Sequence, residues 1–130
     1  MTRSLAFYSK PKRANPEAQL QSAVVQHLKL CAGPNVLFFH VPNGMKSDGR
    51  HVHRMKSMGL TPGVADLVIC VNGQAKFLEL KSENGRARES QLAFSAKALE
   101  AGCDYAFARN INEALTILHN WKAIPRARAA

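Results

Sequence analysis

Two apolar runs separated by two residues constrain this chain more than any other feature. Asp66-Leu-Val-Ile-Cys-Val71 and Gln74-Ala-Lys-Phe-Leu-Glu-Leu-Lys81 flank Asn72-Gly73. Asn-Gly suits a two-residue hairpin turn because both central positions need positive φ. Such a turn pairs Val71 with Gln74, and counting outward along both strands sets Asp66 opposite Glu79. Opposed Cβ atoms in an antiparallel pair lie about 4.5–5.5 Å apart, so two carboxylates there repel. Side chains alternate, which puts Lys81 on the face of Glu79 and sends Leu67, Ile69, Leu78 and Leu80 to the other. A hard divalent cation offsets the repulsion, since magnesium is held by one or two carboxylates together with phosphate and water. Such an ion lowers the pKa of a bound water and polarises a phosphodiester, while a lysine ammonium orients the water and opposes developing charge. The competing reading is a protonated carboxyl or a simple ion pair of Lys81 with Asp66.

The rest of the chain supplies a frame for that hairpin. Asn15-Pro16 reads as an N-cap with proline at the first helical position, and Leu20, Val24, Leu28 and Cys31 repeat at helical spacing until Gly33-Pro34. Val36 to Val41 suits a buried strand, and a long polar loop then runs from Pro42 to about Pro62. Glu89 to Ala101 carries Leu92, Ala96 and Leu99 on one helical face and ends at Gly102; a strand follows over Tyr105 to Arg109, then a helix over Asn112 to Trp121. The order is α-β-β-β-α-β-α. A helix joining the third and fourth strands is a crossover, so the expectation is an α/β fold with a mixed four-stranded β-sheet flanked by helices. The domain is expected over residues 15–122, between basic tails at 1–14 and 123–130. Leu115, Leu118 and Trp121 form an apolar face that is either core or a contact surface.

Charge indicates the partner. Eighteen Lys and Arg against nine Asp and Glu give a net charge of +9, the balance of a protein that meets a polyanion, nucleic acid first. Arg50, Arg54, Lys56 and Lys46 stand in the long loop with His51 and His53 between them, donors suited to phosphate oxygens. Zinc at the two histidines is disfavoured because no cysteine or further ligand stands near. Cys31, Cys70 and Cys103 form no CxxC pair and read as buried thiols, and His27, His40 and His119 read as core histidines. No apolar run approaches the ~18 residues of a membrane span, and the first residues lack the apolar stretch of a secretory signal, so the cytoplasm is expected. Glu17 ends the core-facing stripe of the first helix, where it either reaches a metal or answers the helix dipole. Gln91 gives no signal by spacing alone.

These residues resemble the VRR-NUC (virus-type replication-repair nuclease) branch of the PD-(D/E)xK nucleases. The pieces that carry the resemblance are Glu17 in PEAQLQSAV, Asn43-Gly44 in HVPNGMK, Gly63 to Asp66 in GLTPGVADLVI, Glu79 to Lys81 in FLELKSENG and Gln91 in ESQLAF. They run in the family's order and cover roughly residues 15 to 110; Ala65 stands where the superfamily has proline. The resemblance implies a restriction-endonuclease-like core and a Mg2+ site, with Mn2+ able to substitute. In it Asp66, Glu79 and the Leu80 backbone carbonyl hold the ion, Lys81 is the catalytic lysine, and Glu17 and Gln91 complete the site, Glu17 as a further metal ligand. It also implies a standalone, phage-type member that cuts branched DNA as a homodimer, like a Holliday-junction resolvase, in a bacterial or phage-infected cell. Asn43, Lys46, Arg50, Arg54 and Lys56 are the expected DNA contacts. A non-catalytic nucleic-acid-binding module, or a nuclease for flap or duplex DNA, are the rival readings.

Overall fold

The structure is a computed structural model that describes residues 15–42 and 49–125. Its elements are α1 (Pro16–Cys31), β1 (Val36–His40), α2 (Gly49–Ser57), β2 (Leu67–Val71), β3 (Gln74–Leu80), α3 (Glu89–Glu100), β4 (Asp104–Ala108) and α4 (Ile111–Asn120). Asn72 and Gly73 take φ of 51° and 80°, the two positive values a type I′ turn requires. The hairpin they close has the expected register, from Val71↔Gln74 to Leu67↔Leu78. Strand order is β1-β2-β3-β4. The first three strands are antiparallel, and β4 runs parallel to β3 across the α3 crossover, so the mixed four-stranded α/β sheet is the one expected.

One face of the sheet carries the core. Leu67, Ile69, Leu78 and Leu80 meet Val24 and Leu28 of α1 and Ala114 and Leu118 of α4. The start of α1 is fixed as the sequence indicates, with Asn15 Oδ1 accepting from Ala18 N at 3.2 Å and Pro16 in the first turn. Leu115 and Trp121 pack against the same cluster, which assigns the apolar face of α4 to the core. Ala123 and Ile124, expected in the C-terminal tail, are buried there too, so the packed unit runs past residue 122. The basic ends at 1–14 and 126–130 lie outside the described residues.

On the other face α3 lies over β3 and β4. Phe94 packs edge-on against Phe77 at 5.0 Å between ring centres and tilts over Tyr105 at 6.0 Å. The inward line of α3 is therefore Gln91, Phe94 and Ala98, while Leu92 and Leu99, the apolar face read from sequence, are 51% and 58% exposed. Two stripes compete on this helix, and the one holding the aromatic ring buries the larger surface.

Other sequence readings need correction. The stretch from Pro42 to Pro62 contains α2, which has only Val52 and Met55 on its half-buried side, too few apolar residues for the helical period to register. β1 is an edge strand with Leu37 and Phe39 exposed, because its second edge and one face lack a covering layer among the described residues. Cys31 is exposed and Cys70 and Cys103 are half-buried, so none is a fully buried thiol. His40 is exposed on that edge, and His27 and His119 are half-buried; His119 Nδ1 is a buried nitrogen without a hydrogen-bond partner among the described residues. Leu78→Ala, at a fully buried position, is expected to destabilise by about 2–5 kcal/mol, whereas Leu92→Ala changes stability by no more than about 0.5 kcal/mol. Urea denaturation of the two variants checks the orientation of α3; a loss above 2 kcal/mol in Leu92→Ala would contradict it.

Candidate active site

Asp66 stands one residue ahead of β2, across from Glu79. The two carboxylates exchange hydrogen bonds with each other's strands: Asp66 N donates to Glu79 Oε2 at 3.2 Å, and Leu80 N donates to Asp66 Oδ2 at 2.9 Å. The Asp66 carbonyl is held from β1, accepting from Val41 N at 3.0 Å and from the His40 Nδ1–H at 2.9 Å. Lys81 follows β3 and bends back so that its ammonium lies 3.5 Å from Glu79 Oε1. Glu79 and Lys81 are 3% and 6% exposed.

Gln91 joins the same carboxylate from α3. Its Nε2 donates to Glu79 Oε1 at 2.8 Å and its Oε1 accepts from Arg88 N at 2.9 Å. The helix start thus orients the amide, since the oxygen must face the backbone N–H and the nitrogen is left for Glu79. Phe107 is the register partner of Glu79 on β4, with Tyr105 beside it. Burial in these surroundings, followed by the charge of Asp66, raises the Glu79 carboxyl from its ordinary 4.5 to about 7, against the opposing pull of Lys81. The Tyr105 phenol is raised as well, by burial and then by Glu79 and Asp66, and its buried hydroxyl has no hydrogen-bond partner among the described residues.

The shell around the trio ties distant segments together. Gly63 has φ of 81°, and a Cβ there would meet Ser90 O at 2.1 Å and Gln91 N at 2.8 Å. The approach to Asp66 therefore rests on the backbone of the α3 first turn, and only glycine permits both the dihedral and the contact. Glu17 is placed on the turn after Lys81, where its Oε1 accepts from Ser82 N at 3.2 Å. No group of three or more His, Cys, Asp or Glu side chains suited to a metal forms among the described residues, so the carboxylates that face each other are Asp66 and Glu79. With both ionised, two carboxylates and one ammonium leave one negative charge in excess, a donor set that fits a hard divalent cation completed by water and phosphate.

Arg50, Arg54 and Lys56 are exposed on α2, and Asn43 and Lys46 lie outside the described residues. Sequence reasoning passed over Arg109 and Tyr105, which carry no recognisable spacing signal because they reach the site from β4 through the parallel register. It also passed over Arg86 and Arg88, exposed residues of the turn between Lys81 and Gln91.

No family model matches the chain, and no curated protein does. Solved structures do match. A "VRR_NUC domain protein" superposes with a TM-score of 0.67 at 16% identity, covering 84% of this chain and 89% of that one. The fold is that of VRR_NUC domains. A second structure, "VRR_NUC domain", gives a TM-score of 0.58 at 15% identity over 83% of this chain and 99% of its own. At such identities the likeness is one of fold. No described helix is long and apolar enough to cross a membrane.

The raised Glu79 carboxyl makes stability depend on pH with a definite sign. The folded state holds this proton more tightly than the unfolded chain, so the stability it contributes is present below about 4.5 and lost as pH rises through about 7. The loss is on the order of 3 kcal/mol. Urea denaturation in EDTA at pH 5 and pH 8 should therefore show Glu79→Gln gaining on the wild-type chain by that order as pH rises. An identical difference at both pH values would refute the assignment.

Proposed function

We propose that the chain is a Mg2+-dependent DNA endonuclease that hydrolyses phosphodiester bonds, with branched DNA as its substrate and a homodimer as its working unit. The observation that carries this reading is the pair of half-buried Asp66 and buried Glu79, locked to each other's strands with Lys81 3.5 Å from Glu79. A like-charged pair this close destabilises the sheet unless one member takes up a proton or a cation joins the two. Asp66 and Glu79, with the Leu80 carbonyl, would hold Mg2+ or Mn2+, and the ion when bound supplies Lewis acidity toward phosphate and a more acidic water. The Lys81 ammonium orients the attacking water and opposes the charge that develops on the phosphorus oxygens. Gln91 keeps Glu79 turned toward Asp66, so the carboxylate is preorganised before substrate arrives. Glu17 holds the peptide that follows Lys81.

Arg50 and Arg54 are one turn apart on α2 and Lys56 follows in its last turn. With Asn43 and Lys46 they supply donors for backbone phosphates, and the net charge of +9 favours the encounter. The fold shared with VRR_NUC domains supports the same reading. A dimer fits a four-way junction because a twofold axis presents two equivalent sites for two symmetric nicks.

Labelled duplex, single-stranded, flap and four-way-junction DNAs, incubated with Mg2+ or EDTA, test the activity. Cutting is expected with Mg2+ alone and fastest on the junction, Glu79→Ala should abolish it with DNA affinity retained, and Lys81→Ala should slow it by about 10²–10³-fold. Cleavage by Glu79→Ala near the wild-type rate would remove the assignment, and a monomer by sedimentation on the junction would remove the dimer. For the substrate grip, replacing Arg50, Arg54 and Lys56 by alanine together should weaken binding to every DNA sequence. It should also flatten the slope of log affinity against log salt by about one per phosphate contact removed. An unchanged slope would make α2 a bystander.

A further inference from the structure

Lys81 and Arg109 leave the sheet side by side, since Lys81 N donates to Ala108 O at 2.9 Å at the ends of the parallel strands. The Arg109 side chain then turns back across the gap. Its Nη1 donates to Ser82 O at 3.0 Å and also to Gly85 O. Gly85 N donates to Ser82 O at 3.0 Å, so the guanidinium closes a turn already folded on itself. From the opposite side Glu17 Oε1 accepts from Ser82 N. Of the two peptide groups after Lys81, the first is thus held by its N–H and the second by its C=O. Asn110 Nδ2 donates to Glu83 Oε1 at 3.3 Å and adds a further tie between the same turn and the end of β4.

We infer that Arg109 is a positioning residue for the hydrolysis proposed above: by locking the Ser82–Gly85 turn it fixes where the Lys81 ammonium stands against Glu79. The inference rests on the nuclease reading and extends it to a residue outside the carboxylate–lysine constellation. The guanidinium suits the task because its rigid plane fixes the directions of the two Nη1–H bonds that reach Ser82 O and Gly85 O, whereas a lysine ammonium is a point charge on a flexible stem. Its hydrogen bonds go to backbone carbonyls, so their effect falls on the path of the chain that carries Lys81. A shift of about 1 Å in a group that must meet water and phosphate can reduce the rate by about 10²-fold. Arg109 touches neither carboxylate, and its influence is therefore indirect.

Single-turnover cleavage under enzyme excess tests this in four chains: wild type and Lys81→Ala, each with and without Arg109→Gln. In the wild-type background Arg109→Gln should lower the rate constant by at least about 10-fold, with DNA affinity and the Mg2+ midpoint unchanged within about 2-fold. In the Lys81→Ala background the same substitution should change the rate by less than about 2-fold, because the residue it acts through is gone. Arg109→Lys, which keeps the charge and loses the planar group, should reproduce the loss, and it carries the test if Arg109→Gln does not fold. A merely structural role would lower the rate by the same factor in both backgrounds, and that result overturns the inference. So does an Arg109→Gln rate equal to wild type. Failure of the nuclease reading looks different: the wild-type chain would cut none of the DNAs with Mg2+, and the positioning role would fall with it.

Discussion

The exchange of hydrogen bonds between Asp66 and Glu79 is the constraint on which the rest of the site depends. Each carboxylate accepts a backbone N–H from the opposite strand, one step beyond Leu67 and Leu78, the outermost backbone pair of the hairpin. Side chains here take over the cross-links that a longer ladder would have made with main-chain atoms. The exchange needs the register set by the Asn72-Gly73 turn. A slip of one residue would carry Glu79 into the leucine core and bring Leu80 to the polar side.

Two lysines are buried among the described residues, Lys76 in β3 and Lys81 just after it, and their surroundings differ. Lys76 faces Asp104 across the parallel register, forms an ion pair with it and lies 5.9 Å from the Trp121 ring. One ammonium meets one carboxylate there, and charge is balanced. Lys81 instead pairs with Glu79, whose carboxyl has Asp66 as a second charged neighbour and is forced upward in pKa by burial and by that neighbour. An imbalance of this kind is unfavourable in a folded protein unless something else binds, and it is a common mark of a functional site. Tyr105 shares these surroundings: its phenol is buried among rings near the two carboxylates, and its hydroxyl has no hydrogen-bond partner among the described residues.

Rigidity around the trio comes from backbone more than from side-chain packing. Gln91 is oriented by the first turn of α3, that turn is seated on Gly63, and Gly63 leads directly into Asp66. The path closes on itself, so the carboxylate pair and the helix that steadies it cannot move independently. On the far side of Lys81, Glu17 and Arg109 hold one short turn from two different elements.

Much of this was legible in the sequence because it depends on local chemistry. Asn72-Gly73 admits few turn types, the turn sets the register, and the register sets Asp66 against Glu79 with Lys81 on the same side. Asn15-Pro16 starts α1 by the same local logic, and the apolar repeat of α1 shows which side faces the core. The sequence could not choose between the two stripes of α3, since Leu92 and Leu99 look as apolar as Phe94 until the aromatic partners Phe77 and Tyr105 are brought beneath them. Nor could it reveal α2, whose nine residues hold too little apolar surface to register, or the edge position of β1, which depends on how many strands join the sheet and in what order. Arg109, Gly63 against Ser90, and the capping bond that aims Gln91 depend on contacts between segments far apart in the chain. Residue types and turn chemistry determined the carboxylate pair, and the crossover helix implied that β3 and β4 run parallel; only the tertiary structure decided the register of that pairing and the side chains it brings around Glu79, because spacing along the chain does not fix which residues of β4 stand beside it.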